Sequence, residues 1–282
     1  FDTEHPYPSF DVMDLHTVDA GVTKHLVPEL RAGRSDVVVA HFLGVDHVGH
    51  RHGADHPAMA AKLDQLNAVM RTVLQEVPPD TLLLVLGDHG MTEDGNHGGA
   101  TPAEVNAGLV LHYKAPHATV EAKKAVVHAA AALNGMPVTH RTPLADARTV
   151  NQIDLVPTLA LALGIQVPFS NLGMVLPEPF LDHESTTQSS SKHEELAHAA
   201  RANVAQISKY LHAYAKRVPS FADNIGLPEL ETLARRARAS DNTADDELKQ
   251  LYAWYSRVAE GCRKLWASLD RAQMCWGALL AL

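Results

Sequence analysis

Asp36-Val37-Val38-Val39-Ala40-His41-Phe42-Leu43-Gly44 and Thr81-Leu82-Leu83-Leu84-Val85-Leu86-Gly87 decide how this chain is read. Each is an apolar run ending in glycine, the pattern of a strand buried on both faces of a parallel sheet. Between them Met59, Leu63, Leu66, Met70, Val73 and Leu74 recur at three- and four-residue steps, which predicts an amphipathic helix. Asp55 and Pro57 mark its start and Pro78-Pro79 its end. Strand, helix, strand is the right-handed crossover unit of a parallel sheet.

Further along, residues 107–113 read as a third strand and residues 119–133 as a helix. A helix is also expected from Gln152 to Leu163, with Pro157 in its first turns and Gly164 after its end. The region 1–183 therefore reads as α/β. Composition then shifts at Glu184-Ser185-Thr186-Thr187-Gln188-Ser189-Ser190-Ser191, a polar linker at 184–191. Ser191 and Glu194 form a capping-box pattern. Leu196, Ala200, Val204, Ile207, Leu211 and Tyr214 follow at helical spacing. Two more helices are expected at about 227–239 and 244–268, the second with Leu248, Leu251, Tyr255, Val258, Cys262 and Leu265 along one face. The region 192–282 thus reads as all-α.

The end, Met274-Cys275-Trp276-Gly277-Ala278-Leu279-Leu280-Ala281-Leu282, is strongly apolar but far shorter than the ~20 residues a membrane span needs. It is either a buried helix end or the beginning of a first transmembrane segment. The chain opens on Phe1 with no signal-type leader, so it reads as a processed chain or as a piece starting inside a domain.

With 282 residues, 46% of them hydrophobic, the chain can bury a sizeable core. Its formal net charge of −9 argues against a general nucleic-acid binder, which needs a basic surface to displace counterions. Cys262 and Cys275 have no zinc-knuckle or CxxC spacing and carry no redox information.

The chemistry lies just after the two apolar runs. Asp46 and His50 follow the first; Asp88 and His89 follow the second, with His97 beyond the turn-rich Asp94-Gly95-Asn96. In an open parallel sheet both pairs would face the same edge, where ligands bind. Carboxylate oxygen and imidazole nitrogen are ligands for hard and borderline metals. Paired metals are a recurring device for phosphoryl transfer. The chain has 18 histidines, so any one of them is more often a surface or core residue. As a set, Asp46, His50, Asp88, His89 and His97 point to metal binding. His47, His52 and His56 are expected to support the site or face solvent, and His41, inside the first run, to be a packed core residue.

Asp-x-x-Gly-His followed by Gly-Asp-His-Gly-Met resembles the alkaline phosphatase superfamily, in its phosphodiesterase and nucleotide pyrophosphatase branch. The longer strings His41 to Gly53 and Gly87 to Gly99 resemble, more narrowly, the GPI ethanolamine phosphate transferases. Tyr7-Pro8-Ser9-Phe10, Asp14 to Gly21, Gln152 to Thr158 and Pro168 to Gly173 agree, and the subtype acting on the third mannose is the most similar. The resemblance covers about residues 5–180. It implies a partial alkaline-phosphatase-like parallel-sheet core at 1–183, followed by an all-α region leading to a membrane domain. It also implies two Zn2+ ions, with Asp46, His50 and His97 on one and Asp88 and His89 on the other.

The family completes the second site with an aspartate and a nucleophilic threonine. Neither has a match here, since Thr3, Thr17 and Thr23 lack the surrounding motif. In the complete enzyme, the resemblance implies, the threonine attacks the phosphorus of phosphatidylethanolamine, diacylglycerol leaves, and a mannose hydroxyl takes phosphoethanolamine from the enzyme. The implied setting is the endoplasmic reticulum membrane, with a luminal catalytic domain, a GPI glycolipid precursor as acceptor, and room for a small membrane partner subunit. Two alternatives stay open: a phosphodiesterase or pyrophosphatase using the same ligands, and a non-catalytic metal-binding module, suggested by the missing nucleophile.

Overall fold

The computed structural model describes residues 3–114, 149–180, 189–237 and 243–266. They fall in two compact units, Phe1–Pro116 and His117–Leu282. The described residues are mostly helical, with one small sheet.

In the first unit, α1 (Thr17–Ala32), α2 (Gly44–His52) and α3 (Pro57–Glu76) precede β1 (Leu82–Leu86). The short α4 (Pro102–Val105) and β2 (Leu109–Tyr113) follow. α3 lies close to where its periodicity predicts it. Pro57 occupies the first turn, where its missing N–H is no loss. The ring Nδ1 of His56 accepts from the Ala58 N–H at 3.2 Å and caps the helix. Leu26 of α1 and Val73 and Val77 at the end of α3 form a small core, with Phe42, Met70 and Leu83 against it. Leu63 and Leu74, expected on the inward face, are exposed, and Lys62 is buried instead.

β1 and β2 pair antiparallel, from Leu82 opposite Tyr113 to Leu86 opposite Leu109. The expected crossover between two parallel strands is not found among the described residues. Residues 37–43 form no strand, and Val37 and Val39 are 56% and 74% exposed. The physical reason is hydrogen-bond supply. A β-branched run becomes a strand only where a neighbour pairs its N–H and C=O groups, and among the described residues the one sheet holds β1 and β2 alone. His41, expected in a core, is exposed on this stretch.

The second unit starts with a 3-10 turn at Gln152–Asp154 and α5 (Leu155–Ala162). α6 (Ser189–Arg217), α7 (Pro219–Ile225), α8 (Leu227–Ala237) and α9 (Ala244–Trp266) follow. The sequence stripes face the core as expected. Leu196, Ala200, Val204, Ile207 and Leu211 of α6 are fully buried, as are Leu248 and Leu251 of α9. Thr243 caps α9, its hydroxyl accepting from the Asp246 N–H at 3.2 Å.

Residues 173–176 run through this core as irregular chain, so each buried N–H needs a side-chain acceptor. Asp154 Oδ1 accepts from Met174 N at 2.9 Å, Asn203 Oδ1 from Val175 N at 2.9 Å, and Thr158 Oγ1 from Leu176 N at 2.8 Å. The Tyr252 hydroxyl donates to the Val175 carbonyl, and that of Tyr255 to Asp154. Residues 149–180 therefore share one core with α6 to α9, whereas the sequence reading divides the chain at 184. Residues 189–191, read as linker, are already helical, so α6 starts before Ser191. Polar composition does not locate a helix start, because serine suits a first turn as well as a loop.

The helix expected at 119–133, most of the linker and the apolar end at 274–282 lie outside the described residues. No helix among the described residues is long and apolar enough to cross a membrane.

Candidate metal centre

Asp46 and His50 sit on α2, not in a loop after a strand. Their spacing of four places both on one face of the helix. His97 arrives from the loop after β1. That loop is built from its own hydrogen bonds. Thr92 N donates to the Asn96 carbonyl at 2.9 Å, Asn96 N to Thr92 Oγ1 at 3.0 Å, and Gly95 N to the Thr92 carbonyl at 3.0 Å. The Thr92 hydroxyl and the Asn96 amide hold the Asp94 carboxyl below the usual carboxylate range.

Past His97, Glu104 gathers the loop. Its carboxylate accepts from Gly99 N at 2.9 Å, Thr101 N at 3.2 Å and the Thr101 hydroxyl at 2.6 Å. Those donors, the Thr101 hydroxyl first, lower its pKa. The Gly90 N–H donates to the Glu104 carbonyl at 2.7 Å, which ties the Asp88-His89 turn to the same segment.

The three side chains meet at their tips. His97 Nε2 lies 3.3 Å and His50 Nε2 3.5 Å from Asp46 Oδ1, and the two ring nitrogens are 3.0 Å apart. Four tetrahedral ligands at zinc bond lengths stand about 3.3 Å from one another. Among the described residues, Asp46 Oδ1 is buried with no hydrogen-bond partner. A buried carboxylate oxygen left so is costly, and a cation between it and the rings would satisfy it. Asp46, His50 and His97 are the three-residue His/Asp group found among the described residues that suits a metal ion. Three protein donors with a fourth position open are the general pattern of catalytic zinc sites, whereas structural ones are closed by four.

The structure also brings His89 here. Its ring stacks on His97 with centroids 3.9 Å apart. Its Nδ1 faces the Gly90 carbonyl at 3.0 Å and its Nε2 is 3.6 Å from Asp88 Oδ2. With the Nδ1–H donated to that carbonyl, the Nε2 lone pair points away from it. Asp88 is exposed at the edge of the group.

His47, His52 and His56 have other contacts. His47 is buried, its ring Nδ1 2.7 Å from the Asp14 carbonyl, and holds α2 in place. His52 stacks on His56; burial first, then the His56 and Arg51 charges, lower its pKa. Reading the sequence missed Glu104, although Thr101-x-x-Glu104 is a capping-box signature.

Residues 9–137 match the family described as type I phosphodiesterase / nucleotide pyrophosphatase. The chain is 37% identical over 287 residues to "GPI ethanolamine phosphate transferase 3, catalytic subunit" of Homo sapiens, covering 98% of this chain and 24% of that protein. It is 32% identical to GPI ethanolamine phosphate transferase 3 of Saccharomyces cerevisiae, covering 98% of this chain and 25% of that one. GPI ethanolamine phosphate transferase 2 of the same yeast is 37% identical over 63% of this chain. No solved structure matches. The chain spans about a quarter of the length of the type 3 relatives. Along nearly its whole length the chain is thus similar to one quarter of the GPI ethanolamine phosphate transferase 3 proteins, and its residues 9–137 match the type I phosphodiesterase / nucleotide pyrophosphatase family.

Proposed function

We propose that this chain is part of a cation-dependent enzyme that transfers phosphoethanolamine from phosphatidylethanolamine to a mannose of the GPI anchor precursor, the third mannose. The observation that carries the reading is the convergence of Asp46, His50 and His97 within 3.0 to 3.5 Å, in a chain similar to type 3 transferases over 98% of its length. The donor set suits Zn2+, and a second ion is assigned to Asp88 and His89. When bound, such ions supply positive charge for the phosphoryl oxygens and favour the ionised form of a hydroxyl.

The chain's own residues do the holding. Asp46 brings the negative charge, while His50 and His97 present Nε2 toward it. His89 is turned by the Gly90 carbonyl so that its Nε2 faces outward beside Asp88. The nucleophilic threonine and the aspartate completing the second site are assigned to parts of the relatives' length that this chain does not span. The setting proposed for the whole protein is the endoplasmic reticulum membrane, with this region luminal.

The test is complementation of cells lacking the type 3 activity with the complete gene product, read by mass spectrometry of the GPI glycan. The parent should restore phosphoethanolamine on the third mannose, and Asp46→Ala should not. Restoration by Asp46→Ala at equal expression would refute the reading. The match to phosphodiesterases favours hydrolysis as the second reading. Release of phosphoethanolamine to water at the same rate with and without a mannose acceptor would select it.

A further inference from the structure

α2 carries two of the three cation donors, yet its sequence gives it little reason to be a helix. Gly44 and Gly49 disfavour helix, Val45 and Val48 are β-branched, and the N-terminal flanking residue Leu43 offers no side-chain cap. The cap comes from another helix. Asp19 of α1 accepts from Leu43 N at 2.9 Å and Gly44 N at 3.0 Å, both through Oδ1. A carboxylate there satisfies two free donors and faces the positive end of the helix dipole. Its other oxygen, Oδ2, accepts from Lys62 Nζ of α3 at 3.1 Å.

The ammonium has three protons and three acceptors: Asp19 Oδ2, Gln65 Oε1 at 2.8 Å and His16 Nδ1 at 3.1 Å. The Asp19 and Lys62 side chains are each 2% exposed. Gly44 completes the fit, because a Cβ there would lie 2.2 Å from Asp19 Oδ2 and 2.7 Å from Lys62 Cε. Charged residues are almost never this buried unless paired, and a buried pair is poor value for stability alone.

We infer that Asp19 and Lys62 are positioning residues for the cation site: their buried ion pair clamps the start of α2 and so sets where Asp46 and His50 present their donor atoms. The inference rests on the metal reading above. Asp46 follows Gly44 by two residues, so a shift or fraying of the first turn moves its carboxylate directly. His50, one turn on, is held at the far end by the His97 loop. Losing the clamp therefore separates Asp46 from the two imidazoles while the rest of the unit stays packed.

The test is calorimetric titration of the 282-residue chain with Zn2+, paired with the visible spectrum of the Co2+ form and a thermal melt. Asp19→Asn and Lys62→Met should each weaken Zn2+ binding roughly 10- to 100-fold, the range seen when groups supporting metal ligands are lost. Both should also change the Co2+ band shape, which reports ligand geometry. Val73→Ala, in the core of α1 and α3, should lower the melting temperature and leave the affinity and spectrum unchanged. If either clamp variant fails to fold, the other decides. Parent-like affinity and spectrum in a folded clamp variant would overturn the inference alone. A parent chain that binds neither Zn2+ nor Co2+ would overturn the metal reading and this inference with it.

Discussion

Gly95→Ala tests how the chain brings His97 to Asp46 and His50. Gly95 has φ +86°, and a Cβ added there would lie 2.0 Å from the Gly49 carbonyl oxygen and 3.2 Å from His50 Cα. Ordinary contact begins at 3.4 Å, so the loop and α2 must part by about 1.4 Å along that contact. Metal coordination tolerates about 0.2 Å. Asp46 and His50 stand on one side of the separation and His97, two residues from Gly95, on the other.

Zn2+ affinity should therefore fall at least roughly 10-fold. Stability should also fall, by about 1–3 kcal/mol for a non-glycine residue held at positive φ. Gly33→Ala is the matched control. Gly33 has φ +57° at the end of α1, with nothing within 4 Å of an added Cβ. It should show the cost of positive φ alone, a smaller stability loss, with unchanged Zn2+ affinity. Calorimetric titration and thermal unfolding of the three proteins give both quantities. Parent-like Zn2+ binding by folded Gly95→Ala would refute the reasoning.

Two predictions concern the helical unit. Leu211→Ala removes a fully buried side chain from the α6 face and should cost about 2–5 kcal/mol in denaturant unfolding, whereas a loss below about 1 kcal/mol would mean the core collapses around the gap. His212 has its pKa raised, first by the Ser208 carbonyl and then by Glu231, 2.7 and 2.5 Å from its ring nitrogens. Its contribution to stability is present in full below its ordinary value of 6.5 and is lost as pH rises through the raised value. Melting curves across the neutral range should show this slope in the parent and a flatter one in His212→Gln; an unchanged slope would reject the assignment.

The helical region was largely legible because periodicity is local. The stripe from Leu196 to Leu211 and the face from Leu248 to Cys262 are buried as their spacing predicts. Their ends were less so: Thr243 caps α9 close to its expected start, but α6 begins at Ser189, inside the stretch read as linker. The candidate ligands were also legible as residue types, and the structure brings Asp46, His50 and His97 together with His89 stacked on His97. What failed was their setting. The run 36–44 has strand composition but no strand partner among the described residues. α2 has poor helix propensity but receives its cap from Asp19 and its anchor from the Asp14 carbonyl through His47. Residues 173–176 form neither helix nor strand, yet enter the core because Asp154, Asn203 and Thr158 accept the amides of Met174, Val175 and Leu176.

By itself, the sequence determined which side chains are candidates to hold a cation and which helix faces seek a core. Those are properties of a side chain or of a single helical turn. The tertiary structure decided that Asp46 and His50 ride on a helix, that His97 reaches them, and that Asp19 and Lys62 stand behind them. Those depend on hydrogen-bond donors and acceptors that meet across gaps of 24 to 47 residues, and no local pattern encodes such a meeting.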